Sequence, residues 1–112
     1  MIVSSAPWPG GPPRVEPGWL APGAFACSLD YDATFTSAAA AAFDVRVADD
    51  VPQMDIARAK GSFPDWPRFS ELCTARRKDS DQRILCAALG LAIFDIAVAS
   101  RLVERRSGRE ID

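Results

Sequence analysis

Histidine is absent from the 112 residues, and that single gap removes a large block of chemistry. No Ser-His-Asp or Cys-His machinery can be assembled, and no metal site with an imidazole ligand. Acid–base work would fall to Asp, Glu, Lys, Cys or the only tyrosine, Tyr31. Cysteine is scarce too. Cys27, Cys73 and Cys86 match neither a zinc spacing nor a CxxC pair, so they are expected as free, reduced thiols of a cytoplasmic protein. The amino terminus, Met1 to Gly10, has no basic start and no long apolar stretch and is not a targeting segment. The longest apolar run, Ile84 to Ala99, is interrupted by Asp95 and too short to span a membrane.

The phosphate-binding glycine motifs are missing as well. No G-x-G-x-x-G follows a strand, since Gly10-Gly11 lie among prolines, and no G-x-x-x-x-G-K-[ST] is present. A carboxylate run beginning Asp30, Asp32, Thr34 fails as a calcium loop. Phe35 stands where that loop needs glycine, and Ala41 where it needs a bidentate Glu. The net charge of −2 gives no reason to expect a nucleic-acid or anionic-membrane partner. Charge is uneven along the chain, acidic before residue 57 and basic after it, and separately solvated faces account for that. The clusters Arg76-Arg77-Lys78 and Arg105-Arg106 lack interleaved aromatics and are expected at solvated helix ends.

What is present is the composition of one ordinary globular domain, 48% apolar and 25% charged. Ile2 to Ser5 is a short β-branched run. Residues 6–22 follow as a crossing that holds most of the nine prolines and three glycines. Residues 24–29 and 45–48 are further strand-length runs, the first continuously apolar, as expected of a strand covered on both faces. A short helix is expected from Thr36 to Phe43. A second, capped by Asp50 and ended by Gly61, should run from about Pro52 to Lys60. A third should cover Phe69 to Arg77, and one long helix residues 79–106, with Ile84 to Ala99 buried, before a charged tail at 107–112. Strands alternating with helices predict an α/β fold with a parallel sheet, here of three strands. A chain that opens on a strand, followed by a proline-rich crossing, looks like a fold joined partway through.

In a parallel sheet the ligand crevice lies outside the carboxyl ends of the strands. Leu29-Asp30-Tyr31-Asp32 falls at such an end. A carboxylate there suits chemistry or a cationic ligand. Of the two carboxylates, one is expected to face the crevice. The plainer alternative is that both cap the helix starting near Thr36.

Several segments, in order, resemble the C-terminal part of the ornithine cyclodeaminase/mu-crystallin family. Ile2 to Pro7 resembles its strand-then-TP ending, and Trp19-Leu20-Ala21-Pro22-Gly23-Ala24 its W-L-x-P-G-A step. Val47-Ala48-Asp49-Asp50 is similar to its V-x-D-D strand end, and Leu89 to Ala97 to its G-L-A-x-x-D-x-A helix. The resemblance implies the C-terminal part of a Rossmann-like sheet, supplying the last three strands of the order 3-2-1-4-5-6. It implies an NAD or NADP enzyme that deaminates, cyclises or reduces amino or imino acids. Asp32 falls at the catalytic, substrate-binding aspartate. Leu29, Asp30, Tyr31 and Ala88 fall at cofactor-facing positions, and Leu89 at a substrate-facing one. The sequence departs from the pattern nearby. Asp30 and Tyr31 replace small residues, Thr36 stands where lysine is common, and Ala88-Leu89 replace Ser-Val. The family's substrate-binding cations and its glycine loop lie upstream of the matching segment, so the chain is expected to be inactive alone. It would be completed by a complementary N-terminal half or would self-associate. Two other readings are an interaction module pairing through an exposed strand edge, and a small enzyme using Asp32 in a dimer crevice.

Overall fold

A computed structural model describes residues 1–7 and 11–106. The charged tail at 107–112 and part of the proline-rich crossing lie outside the described residues. Five strands, β1 (Ile2–Ser4), β2 (Phe25–Ser28), β3 (Val45–Ala48), β4 (Ser70–Glu71) and β5 (Ile84–Ala87), form one sheet. Its order is β1-β2-β5-β3-β4, and every pairing is parallel. Three α-helices accompany it: α1 (Ser37–Ala41), α2 (Val51–Ala59) and α3 (Ala92–Arg106).

The first three strands lie where the apolar runs place them, and so do α1 and α2. Thr36 caps α1 by accepting from the Ala39 amide at 3.0 Å. Asp50 caps α2 through the Gln53 amide at 2.7 Å. Gly61, at φ +95°, ends α2 in the left-handed region that glycine enters freely. Gly23 is required for a second reason. A Cβ there would meet the Ser80 carbonyl oxygen at 2.5 Å, because the turn is clamped by its amide on the Asp81 carbonyl.

The second half departs from expectation. The sheet has five strands, not three. Residues 79–106 do not form one helix: Ile84–Ala87 is a strand, and α3 begins only at Ala92. Nor do β2 and β3 touch, because β5 lies between them. Continuous apolarity over Ile84–Ala99 fits a doubly covered strand as well as a buried helix. Gly90, at φ +83°, breaks the run in two. The helix expected over Phe69 to Arg77 is also absent. Ser70–Glu71 pairs with Val47 and Ala48, and a single 3-10 turn follows at Leu72–Thr74. Phe63, Trp66 and Phe69 recur every three residues like a helix face, yet they form an aromatic stack on a loop.

Register partners project to the same face of a sheet. One face carries Ala26, Leu85, Ala87 and Ala48, all fully buried in a cluster with Ala39, Ala40, Phe43, Met54 and Phe63. The core therefore lies between the sheet and α1 and α2. The other face leaves Val3 and Phe25 exposed. Helix α3 buries no residue, contrary to expectation, and Ile93, Phe94, Ile96, Val98, Leu102 and Val103 are each more than half exposed. No helix of the described residues is long and apolar enough to cross a membrane.

Candidate functional site

Parallel pairing brings all the carboxyl ends of the strands to one edge. At this edge two aspartates tie neighbouring strand ends, Asp30 joining β1 to β2 and Asp49 joining β3 to β5. Asp30, just past β2, is almost completely buried. Its Oδ1 accepts from Ser4 Oγ at 3.0 Å, and its Oδ2 from the Ala6 amide at 2.8 Å and Thr34 Oγ1 at 2.6 Å. Ser28 Oγ lies within reach of both Asp30 Oδ1 (3.0 Å) and the Tyr31 carbonyl (2.6 Å). Burial alone would raise the Asp30 carboxyl. The hydrogen bonds from Thr34, Ala6, Ser4 and Ser28 together outweigh it and hold the group below the usual carboxylate range. Asp30 thus stitches β1 to the β2 turn, and its oxygens are occupied.

Asp49 plays the same part at the other side. Its two oxygens accept from the Leu89 and Gly90 amides at 3.0 and 3.1 Å, joining the end of β3 to the end of β5. Between them, the Ala88 amide donates to the Ser28 carbonyl at 2.9 Å. Hence Leu29-Asp30-Tyr31 and Ala88-Leu89 stand on adjacent strand ends, although 56 or more residues separate them along the chain. Leu29 is half exposed, Ala88 half-buried and Leu89 buried.

Asp32 is half-buried, and its Oδ2 accepts from the Phe63 amide at 2.7 Å. This bond anchors a loop in which Phe63 and Asp65 both have positive φ, as does Tyr31 opposite. Tyr31 stacks on Phe63 at 5.5 Å between centroids, and Phe63 meets Trp66 edge-on at 5.1 Å. Arg58 of α2 holds the same loop through the Trp66 and Pro67 carbonyls at 3.0 and 2.6 Å. Neither Asp30 nor Asp32 caps α1; Thr36 does so alone.

A pocket of about 470 Å³ opens beside Tyr31, lined also by Gln53, Ile56, Ala57, Lys60 and Ser62. Of the residues named from sequence, only Tyr31 reaches it. The α2 contributors went unnoticed because nothing in the sequence shows which helix packs against the Tyr31 turn. Asp49 was legible only as a strand end. The three cysteines are free. Burial and the neighbouring Cys27 thiol, with Asp49, push the Cys86 thiol up to about 11, so it is no nucleophile at neutral pH. Among the described residues no cluster of Cys, Asp and Glu could hold a metal ion. No family model matches the chain, and no curated protein matches it.

Proposed function

We propose that this chain is the C-terminal part of a Rossmann-like enzyme of the ornithine cyclodeaminase/mu-crystallin type, and that it supplies the substrate side of a site completed by another segment. The observation that carries this reading is the juxtaposition of the β2 and β5 ends. Those two turns, Leu29 to Asp32 and Ala88-Leu89, are the ones to which the resemblance assigns substrate and nicotinamide contacts. With Oδ2 held by Phe63, Asp32 Oδ1 has no partner among the described residues, which leaves it to receive a proton or an ammonium group from an amino or imino acid.

A dinucleotide does not fit the residues present by themselves. The amides of Leu29, Ala88, Leu89 and Gly90 all donate within the protein, so these four N–H groups of the two turns are not offered to phosphate oxygens, and no glycine-rich loop is present to supply others. Titration of the isolated chain with NAD or NADP in a calorimeter should therefore show no affinity tighter than about millimolar. Micromolar binding would overturn the partial-site reading. Co-expression with an N-terminal half that carries a glycine loop should restore NADH binding. An Asp32→Asn variant of that complex should lose about 100-fold or more in amino-acid turnover while still binding NADH. Unchanged turnover in the variant would remove Asp32 from the chemistry.

The interaction-module reading has an observation of its own. Strand β1 is a sheet edge with Val3 exposed, and Arg14 and Val15 of the proline-rich crossing bond to Thr34 and Thr36. An open edge and an unpacked apolar α3 favour association. Light scattering after size exclusion at micromolar concentration should give a mass above 12.1 kDa that falls on dilution. A sharp monomer peak, insensitive to concentration, would count against both self-association and strand addition.

A further inference from the structure

The opposite edge of the sheet carries a second concavity. Where β3 and β4 begin, a pocket of about 430 Å³ is lined by Asp44, Arg46, Arg68, Ser70, Arg76 and Lys78, among others. Four cationic residues and one acidic residue thus line the cavity, and the Asp44 carboxylate accepts from the Arg83 amide at 2.7 Å. Arg46 donates through Nη1 to the Phe43 and Ala41 carbonyls at the end of α1, while its Nε is enclosed with no acceptor among the described residues. Arg76 donates only to the Ala75 and Cys73 carbonyls. The Arg68 guanidinium and the Lys78 ammonium have no partner among the described residues. Four cationic residues against one carboxylate give the lining a net positive charge and raise the local potential, which an anion would relieve.

We propose that this basin binds a small phosphorylated anion of about the size of pyrophosphate. Planar guanidinium forks match phosphate oxygens, and a lysine ammonium adds a compact charge. The shape favours a small ligand over an extended polyanion. Glu71, Asp79 and Asp81 flank the basin's residues in sequence, and the chain as a whole is acidic. The proposal does not rest on the cyclodeaminase reading, since the basin lies at the amino ends of the strands.

Calorimetric titration of the full chain with sodium pyrophosphate at low ionic strength tests it. A dissociation constant of about 10–100 μM is expected, weakening as salt rises. Arg68→Ala combined with Lys78→Ala should weaken it about tenfold or more. Arg68→Lys should retain most of the affinity, with circular dichroism unchanged in each variant. Both side chains are exposed, so the fold does not depend on them. Absence of binding at about 5 mM pyrophosphate, or equal affinity in the double variant, would overturn the proposal. So would tighter binding of a single-stranded DNA of about 20 nucleotides, lost in the same variant, which would make the basin part of a polyanion surface.

Discussion

Replacing Asp30 by Asn is expected to lower the free energy of unfolding by about 2–4 kcal/mol at neutral pH. The carboxylate accepts from Ser4, Ser28, Thr34 and the Ala6 amide in a nearly closed environment. An amide keeps one acceptor oxygen for Ala6 and Thr34 but turns an NH2 toward the Ser4 and Ser28 hydroxyls, which must switch from donating to accepting, and the charge that strengthens all four bonds is lost. The pH dependence follows from the same bonds. Because the folded carboxyl is held below its ordinary value, the unfolded chain takes up the proton first as pH falls. The stabilisation is complete above the usual carboxylate range and is lost as pH falls through the folded value. The gap between wild type and variant should therefore be widest near pH 7 and close in acid. Urea unfolding followed by tryptophan fluorescence at a series of pH values measures both effects. Equal stability of the two proteins at neutral pH would show that Asp30 is no structural clamp, and would return it to the candidates for ligand binding.

That clamp marks where sequence reasoning stops. Leu29 to Asp32 was recognisable as a turn at a strand end, and a parallel sheet puts such turns at the ligand edge. Which carboxylate is occupied depends on a backbone amide and a hydroxyl 24 and 26 residues earlier, those of Ala6 and Ser4, and no local pattern carries that information. The same holds for Asp32, whose partner Phe63 lies 31 residues away in a loop of positive-φ residues. By contrast, the caps at Thr36 and Asp50 and the stop at Gly61 are local devices, and each was legible.

Strands β1, β2 and β3 were legible from short apolar runs bounded by turn residues. Strand β5 was not, because its four residues merge in sequence with α3 into one apolar stretch. Periodicity cannot separate a doubly covered strand from a buried helix. The break is set by Gly90 and by Asp49, which fixes the Leu89 and Gly90 amides from across the sheet. The position of β5 between β2 and β3 is likewise a tertiary choice. Leu85, Cys86 and Ala87 are the most continuously buried strand residues, and the centre of the sheet is where such a strand gains most.

Truncating one leucine of β5 and one of α3 separates an exposed α3 from one packed on its own sheet. Leu85→Ala is expected to cost about 2–5 kcal/mol, because Leu85 is fully buried in the central strand and its loss leaves a cavity under α1 and α2. Leu102→Ala is expected to change stability by no more than about 0.5 kcal/mol, since Leu102 lies on an α3 that buries nothing. Were α3 packed on the sheet through its last turns, the loss at Leu102 would also be large. Association adds a further distinction. If a second chain covers α3, the cost at Leu102 should rise with protein concentration, whereas the cost at Leu85 should not. Chemical denaturation of both variants over a range of concentrations reads all of this. A large loss at Leu102 that is independent of concentration would mean that α3 packs within its own chain, and would refute the exposed helix described here.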